Sequence, residues 1–354
     1  MLNKEKNILF RVIDAINPYF WITWLRNMAF DYQIIKSHTF DIPTISIGNI
    51  TVGGTGKTPH TEYIAKILKD KHHTAVLSRG YGRKSKGYIK AYESTPMQII
   101  GDEPAQMKNK FPNIDVCVCE KRATGIKNII KENKDIEVIL LDDAFQHRHV
   151  KAGLNILLID SNRPLWQDNI LPFGRMRESI KGVKRADIII ITKCKEITDK
   201  EHFWCKKYIK SIKNIPVFFT AIRYGIPYRM SDRKPLEEIK RETLLVTGIA
   251  NPNPLKEELE KAGATIYMRQ YSDHHNFTTN DIKDVTTAYN NLSTNAIIIT
   301  TEKDAVRLLQ HTALPKEIKD VIYVMPIEVA FLYNEEEMFN QIIENYVTEN
   351  SRNS

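Results

Sequence analysis

The stretch Ile45-Ser46-Ile47-Gly48-Asn49-Ile50-Thr51-Val52-Gly53-Gly54-Thr55-Gly56-Lys57-Thr58-Pro59 sets how the rest of the chain is read. An apolar strand opens into a glycine-rich loop that turns into a helix, which is the layout of a nucleoside-triphosphate phosphate cradle. Backbone N–H groups of Gly53, Gly54, Thr55 and Gly56 would wrap the phosphates, and the helix start adds its positive dipole end. Lys57 would meet the β- and γ-phosphates, and the Thr58 hydroxyl would ligate Mg²⁺. The pattern G-x-x-x-x-G-K-[ST] is incomplete, because its first glycine falls on Thr51. Gly53 and Gly54 still leave the loop its conformational freedom.

The bulk properties bound the class. With 354 residues the chain can bury one large domain or two lobes. A hydrophobic content of 42% and a charged content of 27% are ordinary for a folded protein. The net charge of +8 points to an acidic partner, whether phosphate, nucleic acid or an anionic membrane. The four cysteines fit a reduced compartment, and Cys117-x-Cys119 alternates along a strand rather than forming a metal knuckle. No apolar stretch reaches the length of a membrane span.

Residues 1–36 stand apart. From Ile8 to Ile35 the segment is apolar and aromatic, with Asn7, Arg11, Asp14 and Pro18 at helical spacing forming one narrow polar stripe. Tyr19, Phe20, Trp21, Trp24 and Tyr32 are rings suited to a membrane–water boundary, and Lys4, Lys6, Arg11, Arg26 and Lys36 would attract anionic headgroups. The charges interrupt any signal-peptide core. Packing of these helices on the domain is the competing reading, and the two are compatible.

Beyond the cradle, short apolar strands alternate with helices. Strands are expected at 74–78, 115–119, 138–141, 154–159, 187–192 and 216–220, and helices at 102–110, up to 133, and 201–212. Continuous apolar strands between helices argue an α/β, P-loop-like fold with a mostly parallel sheet covered on both faces. The segment 224–242, richer in Pro, Arg and Lys, marks a change of lobe, and a shorter αβ set resumes with strands at 244–247, 265–269, 296–300 and 321–325. The organisation expected is N-terminal amphipathic helices (1–36), a nucleotide-binding core (37–225) and a smaller αβ lobe returning to the core (226–354).

The strand Val138-Ile139-Leu140-Leu141 ends in Asp142-Asp143, the place where a carboxylate holds Mg²⁺ beside the cradle. Gln146-His147-Arg148-His149 follow with donors for substrate phosphate or hydroxyl groups. Thr192-Lys193-Cys194-Lys195 superficially matches a guanine-reading N-K-x-D element, but Lys195 has only donors where a carboxylate must accept. ATP is therefore the expected nucleotide. Gly101-Asp102-Glu103-Pro104 sets two carboxylates at a helix start, and Asp273-His274-His275 sets two histidines in a loop. An N-cap for Asp102 and surface or core histidines are the plain readings, while a carboxylate–histidine pair would suit a kinase that needs a base for a hydroxyl.

In order along nearly the whole chain, the cradle, Ser78-Arg79-Gly80-Tyr81-Gly82-Arg83, Gly101-Asp102-Glu103-Pro104, Asp142-Asp143-Ala144-Phe145-Gln146-His147-Arg148, Leu171-Pro172-Phe173-Gly174-Arg175-Met176-Arg177-Glu178, Asp273-His274 and Thr301-Glu302-Lys303-Asp304-Ala305-Val306-Arg307 resemble the tetraacyldisaccharide 4′-kinases of lipid A biosynthesis. The resemblance implies transfer of the ATP γ-phosphate to the 4′-hydroxyl of an acylated glucosamine disaccharide 1-phosphate, giving lipid IVA in lipopolysaccharide biosynthesis. It implies Asp102 and His274 as the base pair, Lys57 on the phosphates, and Glu103, Asp142 and Asp143 as acids organising Mg²⁺. Asn49, Tyr81, Arg122, Gln146, His147, Arg148 and Arg175 fall where sugar and 1-phosphate would be held. Arg79, Arg83, Arg122, Arg175 and Arg177 read alternatively as ordinary solvated charge, and Thr301 to Arg307 read best as a capped helix start. The partners implied are the lipid and an anionic membrane surface, with no nucleic acid and no obligate protein partner. The location implied is the cytoplasmic face of the bacterial inner membrane, held peripherally. A soluble kinase or ligase acting on a small metabolite, or a nucleotide-switched assembly factor, would share the cradle.

Overall fold

The structure is a computed structural model that describes residues 16–195, 197–273 and 275–351. After a helix at Pro18–Asp31, the core strands run β1 (Thr44–Gly48), β2 (Thr74–Ser78), β3 (Ile89–Lys90), β4 (Asp115–Val118), β5 (Val138–Asp142), β6 (Leu154–Asp160), β7 (Ile188–Thr192) and β8 (Val217–Tyr224). A second set follows as β9 (Tyr228–Arg229), β10 (Glu242–Thr247), β11 (Thr265–Gln270), β12 (Ile297–Thr301) and β13 (Ile322–Met325). One residue later the chain re-enters the first sheet as β14 (Ile327–Phe331) and ends in the helix Glu336–Glu349.

The large sheet has the order β14-β8-β7-β6-β1-β5-β2-β4-β3. Its interior pairings are parallel, and only the edge strands β3 and β14 run antiparallel. The chain winds away from β1 toward β2 and β4, then returns through β5 and crosses to β6. The carboxyl ends of β1, β5 and β6 therefore meet where the winding reverses, which is where open α/β sheets place a ligand. The smaller sheet, β11-β10-β12-β13-β9, is parallel except for β9.

The apolar strands anticipated from sequence are all present, because both sheet faces are covered and every residue of β1, β2, β5 and β7 is buried. The short strands β3, β9 and β14 were not anticipated. β14 follows β13 across Pro326 alone, so the two read as one apolar run in sequence.

The cradle helix Lys57–Leu68 buries His60, Thr61, Ile64, Ala65 and Leu68 against the sheet. Ile64 and Leu68 are fully buried, each contributing about 2 kcal/mol. Its outer face meets the C-terminal helix, whose Phe339, Ile343 and Val347 recur every four residues and are all buried. The Tyr63 hydroxyl donates to Glu336 Oε1 (2.8 Å) and Asn340 Oδ1 (2.9 Å), and the Tyr346 hydroxyl contacts both backbone groups of Thr44 at 3.2 Å. The chain terminus thereby braces the strand and helix that carry the cradle.

Candidate active site

The cradle follows β1. Gly48 leaves the strand where a Cβ would lie 2.8 Å from the Phe145 backbone nitrogen, so no larger residue fits beside the turn after β5. Gly56 caps the helix with φ of +85°, a conformation that L side chains rarely adopt. Asn49 is completely buried; its Nδ2 donates to Thr55 Oγ1 at 2.7 Å, and its carbonyl accepts from Gln146 Nε2. From the β7 side, Thr192 Oγ1 donates to the Thr55 carbonyl (2.9 Å), and the Lys193 ammonium reaches the Gly54 carbonyl while pairing with Asp160 at 2.8 Å. Lys193 is thus a brace for the loop, a role that the sequence comparison with a guanine reader did not expose.

The acids converge on this loop. Lys57 Nζ lies 3.8 Å from Asp143 Oδ1, and Arg177 Nη1 lies 3.8 Å from the same oxygen. That oxygen is buried and accepts no hydrogen bond. Asp142 is buried one residue earlier, accepting from Thr61 Oγ1 at 2.9 Å. Burial pushes its carboxyl up, and the nearby charges of Glu103 and Asp143 push it further. Burial likewise raises Glu103, against the opposing pull of the Lys57 and Lys303 charges and a hydrogen bond donated by the Thr58 hydroxyl. Lys57, Thr58, Glu103, Asp142 and Asp143 are therefore one cluster. Among the described residues no group of three or more His, Cys, Asp or Glu forms a ready metal cage. A buried carboxylate oxygen that accepts no hydrogen bond, in a cluster that also holds the Thr58 hydroxyl, offers oxygen donors of the kind Mg²⁺ takes together with phosphates and water.

A family model described as LpxK, tetraacyldisaccharide-1-P 4′-kinase, matches residues 9–348. The chain belongs to this family. A tetraacyldisaccharide 4′-kinase of Phocaeicola vulgatus is 46% identical over 98% of this chain and 98% of its own length. One from Bacteroides thetaiotaomicron is 44% identical over 95% of this chain and 94% of its own. The fold matches the crystal structure of LpxK from Aquifex aeolicus, an "apo" form in complex with ATP, with a TM-score of 0.73. That pair is 27% identical, over 93% of this chain and 96% of the other.

The remaining residues singled out on resemblance to the 4′-kinases divide by position. Arg122 is buried, not solvated; it opens the helix Arg122–Glu132 and donates to the carbonyls of Cys119 (2.6 Å) and Asp142 (3.2 Å). Burial lowers it to about 10 although Asp142 and Asp143 pull it up, and its Nε is buried without a hydrogen-bond partner. His147 lies near Arg122 and Arg79; burial and those charges hold it at about 4, so it is neutral at physiological pH. Tyr81 is 77% exposed.

Arg148 contacts the N-terminal helix. Its guanidinium donates to the Asn27 carbonyl (2.8 Å), pairs with Asp31 (2.5 Å) and sits 5.0 Å from the Phe30 ring centre. It ties the helix Pro18–Asp31 to the core. Arg175 is exposed over Gly53, while its carbonyl accepts from Val52 at 2.8 Å. Arg177, read from sequence as solvated charge, is the arginine that reaches Asp143 and donates to Gln146 Oε1 at 3.2 Å. Asp102 is the first residue of the helix Asp102–Lys110, capped by Gly101, so it is not the N-cap. Its carboxylate pairs with Arg307. His274 lies outside the described residues, and its neighbour Asp273 pairs with Lys303 at 3.1 Å.

Proposed function

We propose that this chain transfers the γ-phosphate of ATP to the 4′-hydroxyl of a tetraacylated glucosamine disaccharide 1-phosphate, a step in lipid A and lipopolysaccharide biosynthesis. One observation carries the reading: in a chain of this family, Lys57 and Thr58 at the end of the cradle meet Glu103, Asp142 and Asp143 from two other elements. The cradle N–H groups and Lys57 hold the triphosphate, and positioning with charge neutralisation supplies most of the rate. Thr58 with Asp143, and Asp142 or Glu103 behind them, would hold Mg²⁺, which when bound neutralises charge on the phosphates. Asp102 accepts the hydroxyl proton, with His274 as the second member of the base pair that the family resemblance implies. Arg122, His147, Gln146, Tyr81 and the arginines around Met176 line the acceptor side, where an arginine fork suits a phosphate monoester.

The domain reading is likewise part of this proposal: a core at 37–225, a smaller lobe from 226 that returns to the core, and N-terminal helices meeting the membrane. No helix among the described residues is long and apolar enough to cross a membrane. Ile16, Trp21, Ile22, Leu25, Tyr32 and Ile34 nevertheless present large apolar surface to solvent around the helix Pro18–Asp31. That face supports peripheral attachment to an anionic membrane, on the cytoplasmic side where ATP is available.

The test uses labelled γ-phosphate ATP, Mg²⁺ and the acylated disaccharide 1-phosphate in mixed micelles. Label enters the lipid with the wild type, falls by at least about 100-fold with Lys57→Ala, and stops when Mg²⁺ is chelated. Hydrolysis of ATP without label in the lipid would refute the acceptor assignment.

A further inference from the structure

The segment Thr301 to Arg307 is a capped helix start, with Thr301 Oγ1 accepting from Asp304 N at 3.1 Å, but capping does not account for its charges. The helix Glu302–Leu309 belongs to the smaller lobe and packs against the helix Asp102–Lys110 of the core. Lys303 pairs with Asp273, the residue before His274, and its charge also acts on Glu103. Arg307 has a side chain only 1% exposed and forks between two carboxylates: Nη1 to Asp304 Oδ1 at 3.1 Å and Nη2 to Asp102 Oδ2. Asp304 is itself immobilised, its Oδ2 accepting from Gly248 N (2.9 Å) and Thr301 Oγ1 (2.8 Å).

We infer that Arg307 is a positioning residue, which fixes the Asp102 carboxylate from the smaller lobe and makes its orientation depend on the docking of that lobe. The inference rests on the reading of Asp102 as base. The chain of contacts runs from Gly248, the residue after β10, through Asp304 and Arg307 to the first residue of a core helix. Every link before Asp102 is buried, so the fork has one geometry. A planar guanidinium can span two carboxylates at once, whereas a lysine ammonium is a point charge that satisfies one well. An ion pair placed only for stability gains little from burial, because desolvation offsets the attraction. Here its outer partner is the carboxylate proposed to take the proton.

The experiment compares Arg307→Ala, Arg307→Lys, Asp102→Asn and the double variant Asp102→Asn/Arg307→Ala in the full chain. It measures kcat, KM for ATP and Tm with the lipid in mixed micelles. Arg307→Lys is expected to lower kcat by about 10-fold and Arg307→Ala by about 100-fold, with KM for ATP within about twofold of wild type. The double variant is expected to turn over no more slowly than Asp102→Asn, because Arg307 acts only through that carboxylate. Wild-type kcat in Arg307→Lys overturns the inference, and this arm stands even if Arg307→Ala does not fold. Multiplied losses in the double variant overturn it too, since they describe a purely structural arginine. Wild-type turnover in Asp102→Asn removes the base reading itself, an outcome separate from either of these.

Discussion

Two arginines two positions apart show what a sequence can and cannot say about a single side chain. Arg175 and Arg177 flank the buried Met176, which bridges Thr51 in an antiparallel pairing, so both extend to the same side. Only the fold shows that Arg177 reaches Asp143 and Gln146 while Arg175 remains over Gly53. The cradle and the acids at the end of β5 were legible because their spacing along the chain is their geometry. The contacts of Arg148 and Arg177 were not legible because their partners, Asp31 and Asp143, come from distant elements. The geometry makes a ranking: Arg177→Ala should lower kcat/KM by about 100-fold, and Arg175→Ala by less than about tenfold. Steady-state kinetics on both variants checks it, and equal losses would show that proximity to Asp143 does not matter.

At the scale of elements, the cradle helix carries a buried titratable group that has no part in the chemistry. Neutral His60 donates from Nδ1 to the Gly56 carbonyl (2.7 Å), which leaves Nε2 to accept from the Thr220 hydroxyl (3.0 Å). Burial holds this ring at about 4, below its ordinary 6.5. The unfolded chain therefore binds the proton first as pH falls, so the stability from neutral His60 is complete above pH 6.5 and is lost between 6.5 and about 4. The displacement corresponds to roughly 3 kcal/mol. Denaturant unfolding at pH 7.5 and 4.5 should show a steeper acid loss in wild type than in His60→Gln, and parallel losses would exclude this ring as the cause. The helix Pro18–Asp31 permits a second test, because Trp21 and Leu25 are exposed while Arg148 and Asn27 hold the helix to the core. Trp21→Ser/Leu25→Ser should weaken binding to anionic vesicles by at least about tenfold without changing ATP affinity. Unchanged co-sedimentation would dismiss this face as the membrane contact.

At the scale of the whole molecule, the two sheets are joined in part by charges that no sequence pattern announces. The parallel core was legible because buried strands must be apolar, and the segment richer in Pro, Arg and Lys after Tyr224 leads into the strands of the second sheet. The contacts between lobes were not legible, since Glu62, Lys110 and Glu302 are far apart in sequence and each resembles ordinary surface charge. In the fold Lys110 Nζ lies 2.7 Å from Glu62 and 2.8 Å from Glu302, joining the cradle helix, the helix of Asp102 and the first residue of the lobe helix. Both carboxylates are nearly buried, and burial raises Glu62 while Lys110 opposes that rise. Lys110→Met would leave two buried carboxylates facing each other without a cation, which costs about 3–5 kcal/mol. With the ammonium gone, the proton affinity of Glu62 in the folded state rises further above that of the unfolded chain. A carboxyl raised in this way stabilises the fold at low pH and loses that contribution as pH increases through its folded value. The deficit in Tm of Lys110→Met relative to wild type should therefore be larger at pH 8 than at pH 5, and the variant should lose docking of the smaller lobe before the core melts. A pH-independent deficit would mean that Lys110 acts through its packing stem, and the lobes would then be held by the apolar contacts of Val306 and its neighbours alone.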